Sequence, residues 1–277
     1  MYFERVKQEE GLNMIKENPC RLLDFGKLIL SKRNTYEGNS EGREILLVML
    51  SGICSVDVGG ETFKDVGGRP SVFAGKSYSV YIPPHTTFAV STDGEGSIEA
   101  VLAFAKAEEE KEPFIITPEE VVSGKWGISN FSRTFHQILV NGVQKDKSVN
   151  RLIVGETFTP SGNWSTYPPH RHEHDNFPEE MFMEEMYYFK VQPENGWGLT
   201  KFYTKEKDID YVFTVENETI LKMPKGYHTV VSAPGYTTYY LWFLAGNTRV
   251  QAPYTDPNLA WVARTIPMIK NIEENLR

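Results

Sequence analysis

The sequence predicts an all-β protein made of two tandem barrels with short peripheral helices. Three observations lead there. Apolar or alternating runs of strand length recur through most of the chain, separated by turn residues. Helical periodicity is scarce. The same β rhythm appears twice, as an internal duplication would produce, and 277 residues suffice for two domains of moderate size.

Residues up to about Asn34 read as an irregular lead-in with one short strand, Leu28-Ile29-Leu30. The β pattern of the first half starts at Glu44. Residues 45–50 form an apolar run bounded by Ser51-Gly52. Residues 54–58 alternate, and Gly59-Gly60 supplies a hairpin turn. Further strands are expected at 78–82, 87–91 and 97–104. The charged stretch 106–112 reads as a solvated linker or an exposed strand end. Thr117-Pro118-Glu119-Glu120 reads as a helix start, with Thr117 as cap, Glu120 closing a capping box and Gly124 ending the helix. The boundary is placed there, giving a first unit of 1–116 and a second of 117–277. The second half repeats the pattern at 132–139, 152–159, 186–191, 199–203, 211–215, 219–223, 229–231 and 238–244, with a tight turn at Glu216-Asn217-Glu218. Ile266, Ile269, Ile272 and Leu276 form a helical stripe expected to pack on the outside of the barrel.

Composition excludes several function classes. The formal net charge is −8 and Lys and Arg are dispersed, which argues against a nucleic-acid partner. No apolar run is long enough to span a membrane. The charged N-terminus lacks the apolar centre of a signal peptide. Cys20 and Cys54 fit no metal or redox spacing, so a reducing cytoplasm is the simplest setting.

The stretch that carries chemistry is Tyr167-Pro168-Pro169-His170-Arg171-His172-Glu173-His174, followed by Glu184-Glu185-Met186-Tyr187-Tyr188-Phe189. On a strand, His170 and His172 point to one face. Glu184 and Glu185 face opposite ways, and Glu185 is the inward one because Tyr187 and Phe189 share its side. A Pro-x-Gly-x-His turn, ending at His228, adds a third imidazole. His170, His172, Glu185 and His228 are therefore the expected ligands of one divalent metal ion. His174 abuts a loop and reads as an exposed histidine; Glu173, Glu179, Glu180 and Glu184 read as solvated carboxylates. The first half echoes this only in Ile82-Pro83-Pro84-His85. Ser51-Gly52-Ile53-Cys54 stands where a His pair would fall, so the first barrel is expected to lack metal, with His85 structural or at the surface.

Two His, a Glu and a later His form the two-motif pattern of cupins, here with a longer insert between the second His and the Glu. The chain also resembles the 5-deoxy-glucuronate isomerase family of bacterial myo-inositol catabolism. The resemblance runs through Gly67-Gly68-Arg69-Pro70-Ser71-Val72-Phe73, the segment from Gly162-Asn163-Trp164-Ser165 to Pro168-Pro169-His170-Arg171-His172, Glu184-Glu185-Met186-Tyr187-Tyr188, and Pro224-Lys225-Gly226-Tyr227-His228. It implies a bicupin fold, self-association, and the same four ligands. This chain has Arg171 where the family commonly has Lys, and Trp242 where it often has Asn. A Gly-rich Asn-x-x-Arg stretch of the family is matched loosely by the segment ending in Asn130-Phe131-Ser132-Arg133.

The activity implied is aldose–ketose isomerisation of 5-deoxy-D-glucuronate to 2-deoxy-5-keto-D-gluconate. His/carboxylate sites accept Zn, Mn, Fe, Co or Ni, so the pattern does not choose among them. The substrate is a small deoxy-uronate sugar. Lys225 and Arg249 are candidate partners for its carboxylate, and Tyr187, Tyr239 and Tyr240 are candidate hydroxyl donors. Two alternatives share the ligand pattern: a cupin dioxygenase, which would consume oxygen, and a sugar-binding cupin without turnover.

Overall fold

The computed structural model describes residues 1–92, 94 and 96–275, and its strands assemble into four antiparallel sheets. A six-stranded and a four-stranded sheet come from the first half. A seven-stranded and a five-stranded sheet come from the second, with one strand added from the N-terminus. The six-stranded sheet centres on Arg43–Ser51 and Ile98–Lys106, and the seven-stranded sheet on Met183–Gln192 and Thr237–Gly246.

Alternation along single strands fixes how the sheets stack. In Arg43–Ser51, Ile45, Leu47 and Met49 enter the core between the six- and four-stranded sheets. Leu46, Val48 and Leu50 enter a second core, which Met186, Tyr188, Leu241 and Phe243 fill from the seven-stranded sheet. Tyr187 and Phe189 point the other way, into the second barrel with Phe202 and Val230. The result is one core inside each barrel and one between them. An apolar run such as 45–50 is what a strand buried on both faces requires. Each such side chain contributes about 1.5–3 kcal/mol by leaving water.

Two carboxylates lock the halves together reciprocally. Glu44 accepts hydrogen bonds from the backbone N–H groups of Asn150, Arg151 and Leu152 at 2.7, 2.6 and 2.8 Å. Glu184 accepts from those of Arg21, Leu22 and Leu23 at 2.7, 2.7 and 3.2 Å. Both carboxylates are buried, and the donors meet the cost of removing each charge from water. Glu184 is thus an inter-barrel clamp and not the solvated residue expected. Glu180 is also buried, held by the Arg171 guanidinium and the N–H groups of Glu173 and His174.

Three further expectations change. At Thr117 the local signal is present, since its N–H donates to the Glu120 carboxylate at 2.8 Å. No helix follows; Val122–Trp126 instead pairs with Arg133–Leu139 as a strand. Gly124 is in that strand because a Cβ there would come within 2.4 Å of the Phe135 ring. Pairing and packing override the cap. The lead-in is also more ordered than expected: Phe3–Arg5 crosses to the second half and pairs with Thr219–Met223. Finally, the strand preceding Glu44 is Thr35–Asn39, so it, and not Ser51–Cys54, is the counterpart of the strand bearing His170.

Short 3-10 helices at Ser129–Phe131 and Ala260–Arg264 and a terminal helix, Thr265–Asn275, are peripheral. Ile266 and Ile269 pack on Ile128, Phe131 and Val262, while Ile272 is exposed. Leu276 lies outside the described residues. Cys20 is a free thiol, and the buried Cys54 thiol contacts Met49 Sδ at 3.6 Å. Among the described residues no helix is long and apolar enough to cross a membrane.

Candidate metal centre

The strand Trp164–Arg171 pairs with Tyr227–Ser232 so that His170 lies directly opposite His228. The chain leaves this sheet at His172, loops outward, and returns where the Met183 N–H donates to the His172 carbonyl at 3.0 Å. That closure brings Glu185 beside the histidines. Arg171, between the two imidazoles, points the opposite way by strand parity. Its Nε and Nη2 reach the two Glu180 oxygens at 3.1 and 3.2 Å, and its guanidinium lies 5.1 Å from the ring centres of both Tyr227 and Tyr254. A planar fork makes both kinds of contact.

The four side chains converge. Donor atoms of His170, His172 and Glu185 all lie within 4.8 Å of one another. Glu185 Oε2 is 3.0 Å from His228 Nε2 and 3.7 Å from His172 Nε2. Ring centres of His170 lie 5.0 Å from His172 and 4.8 Å from His228. Four buried atoms here have no hydrogen-bond partner: His172 Nδ1, Glu185 Oε2, and both nitrogens of His228. Unpaired polar atoms in a protein interior are costly, and their clustering at one point suits a bound cation. Burial holds the His170 imidazole well below its ordinary range, with the neighbouring His228 and His172 adding to the effect. Burial also lowers His172 to about 4, against the opposing pull of Glu185. Both rings are therefore neutral near pH 7, the form that ligates metal. These residues could hold a divalent ion.

Beside them opens a cavity of about 300 Å³. Alternation again selects its walls: Arg133, Phe135 and Gln137 from one strand, Tyr240, Trp242 and Leu244 from another, and Tyr187 two residues after Glu185. Tyr187 packs against His228 and Tyr240, and burial raises its hydroxyl well above the usual range, so it is a neutral donor. The Tyr240 hydroxyl bonds to Ser165 and Thr166. Trp242 donates from Nε1 to Thr157 Oγ1 at 3.0 Å and lies over Gly155, where a Cβ would come within 2.2 Å of the indole.

A family model described as the KduI/IolB family matches residues 3–262. The chain belongs to the KduI/IolB family. It is 37% identical to a 5-deoxy-glucuronate isomerase of Bacillus subtilis subsp. natto, over 87% of each chain. It is 34% identical to one from Halalkalibacterium halodurans, over 94% of this chain and 96% of that one. Among solved structures, an IolB-like protein from Salmonella typhimurium LT2 matches with a TM-score of 0.87 and 29% identity, covering 95% of this chain and 99% of that one. Oxalate decarboxylase of Bacillus subtilis matches with a TM-score of 0.61 at 12% identity, over 92% of this chain and 79% of that one, a likeness of bicupin fold alone.

Within this family member, three of the sequence-derived candidates stand apart from the cavity. Lys225 turns to Asp208 at 3.4 Å on the surface. Arg249 donates from Nε to the Leu152 carbonyl at 3.0 Å, near Glu44 and Tyr81. Tyr239 faces the inter-barrel core, where its hydroxyl donates to Glu156 at 2.9 Å. Tyr187 and Tyr240 do line the cavity. Its cation is Arg133, which sequence reasoning quoted only as part of the loosely matched Asn-x-x-Arg stretch. His174 and His85 are exposed.

Proposed function

We propose that this protein is a metal-dependent aldose–ketose isomerase that converts 5-deoxy-D-glucuronate to 2-deoxy-5-keto-D-gluconate. The observation that carries the reading is the cluster of His170, His172, Glu185 and His228, with four buried atoms that make no hydrogen bond, beside a cavity that Arg133, Tyr187 and Tyr240 also line. Family membership supports the substrate, since the curated relatives bear that isomerase name. In this reading the metal unit is 117–277 and the first unit, 1–116, is a metal-free partner barrel. The protein acts in the cytoplasm and self-associates.

The four residues would hold one divalent ion, which supplies electrostatic stabilisation of negative charge developing on a substrate oxygen. The chain does the rest. Buried His170 and His172 stay neutral, so both keep a lone pair free for coordination. Tyr187, kept protonated by burial, donates a hydrogen bond to a substrate oxygen. Trp242 forms part of the cavity wall from the sheet side, seated over Gly155. Isomerisation moves a proton from the hydroxyl-bearing carbon to the aldehyde carbon through an enediol.

Turnover of 5-deoxy-glucuronate in deuterated water, followed by NMR, tests this. The expected result is a keto product carrying deuterium on its new hydroxymethyl carbon, formed only after metal loading. Saturable binding without product under every divalent ion named above would reject the isomerase in favour of a sugar-binding protein.

A further inference from the structure

Most arginines that the fold uses as internal struts are fully engaged. Arg69 donates from Nε to the Met49 carbonyl, from Nη1 to the Gly75 carbonyl and from Nη2 to Glu156, at 3.0, 3.1 and 2.6 Å. Arg171 is forked onto Glu180. Arg133 differs. Among the described residues it is the one Lys or Arg in the cavity wall, and its Nη1 is buried with no hydrogen-bond partner. A buried cationic donor without an acceptor is costly, and guanidinium is the group best shaped to take a carboxylate on two N–H donors.

Its placement is built. Arg133 begins the strand Arg133–Leu139, and with Phe135 and Gln137 it shares the face that lines the cavity. The preceding residues are pinned: Phe131 packs with Ile128 and Val262, and the Ser132 N–H donates to the Asn163 side chain at 3.2 Å. Arg133 lines the same chamber as His170, His172, Glu185 and Tyr187, so it shares that chamber with three of the proposed metal ligands.

We infer that Arg133 is the anchor for the substrate's carboxylate, and so the residue that makes this cavity select uronates over neutral sugars. This rests on the isomerase reading above for its substrate. In a uronate the carboxylate stands at the opposite end of the carbon chain from the aldehyde. One end on Arg133 and the other at the His/Glu cluster would fix the chain lengthwise. Such an anchor binds and positions; it takes no part in the proton transfer.

The test uses two ligands that cannot isomerise: the substrate with its aldehyde reduced to an alcohol, and the same molecule with its carboxylate reduced as well. Each is titrated by calorimetry into metal-loaded wild type, Arg133→Met and Arg133→Lys. Wild type should prefer the acid by about 10- to 100-fold, the range for hydrogen bonds to a charged group. Arg133→Met should erase that preference while keeping metal content and affinity for the neutral ligand. Arg133→Lys, which keeps charge and most of the volume, should retain part of the preference and covers the case where the Met variant fails to fold. A preference that survives in Arg133→Met, an equal loss for both ligands, or a wild type that does not distinguish them would overturn the inference. Failure of the isomerase reading is seen separately, as absence of turnover on the unreduced substrate.

Discussion

The two barrels share a frame and differ in what fills it. Glu44 and Glu184 occupy matching places, each opening a central strand and each capping three backbone N–H groups of the other half. The next residue points into its own barrel: Ile45 in the first, Glu185 in the second. The strand before each carries Gly38 opposite Phe88 in the first barrel and His170 opposite His228 in the second. A Cβ at Gly38 would come within 2.7 Å of the Phe88 ring, so that ring occupies the space beside it. The first barrel thus closes its interior with apolar volume, where the second presents imidazoles and a carboxylate. One frame serves as scaffold when packed and as a site when polar, a division expected where function overrides packing.

Removing the polar set should have the largest effect. His170→Ala, His172→Ala or His228→Ala should each reduce bound metal sharply and lower turnover by about a thousandfold or more, as for loss of a principal electrostatic group. His85→Ala, exposed on the first barrel, should change neither. Elemental analysis and NMR turnover read both.

Exchanging the matched residues Ile45 and Glu185 should act on stability in opposite directions. Ile45→Glu places an unpaired carboxylate in an apolar core and should cost about 4 kcal/mol or more. Glu185→Ile should abolish metal binding yet leave the metal-free protein as stable or more so, by up to about 4 kcal/mol, because it removes a buried carboxylate whose Oε2 makes no hydrogen bond. Urea unfolding of metal-free samples compares them. A Glu185→Ile variant much less stable than wild type would mean that Glu185 is a structural strut.

Acid should distinguish the barrels next. His172 titrates near 4 in the folded chain against an ordinary 6.5, so the unfolded state binds more protons between those values. Stability of the metal-free protein is then complete above pH 6.5 and falls on acidification toward pH 4, by about 3 kcal/mol from this residue. His172→Phe should flatten that slope. Smallest is the effect expected of the shared clamps: Glu44→Gln and Glu184→Gln should each cost about 1.5–3 kcal/mol, and by similar amounts, since each loses charge-assisted bonds.

The sequence disclosed the second barrel's site because its signals are local. A period of two puts His170 and His172 on one face, and parity with Tyr187 turns Glu185 inward. What it concealed depends on distant partners. Glu180 and Glu184 look solvated until the backbone donors that surround them are brought in by the fold. Arg133 becomes the cavity's cation only when its strand joins the seven-stranded sheet beside Ile153–Thr159, whereas Lys225, adjacent in sequence to the His228 turn, points away to Asp208. At Thr117 the Glu120 half of the capping box forms, but the strand after it is claimed by Arg133–Leu139. Phe3–Arg5 carries no short-range signal of its pairing with Thr219–Met223.

Anomalous diffraction from crystals of the metal-loaded protein, collected at the absorption edge of the bound ion, tests the central claim most directly. One peak per chain is expected, within about 2.0–2.2 Å of ligand atoms from His170, His172, Glu185 and His228, the range for His and carboxylate ligation. A peak inside the first barrel, or one in the second that leaves any of those four residues out of reach, would contradict it.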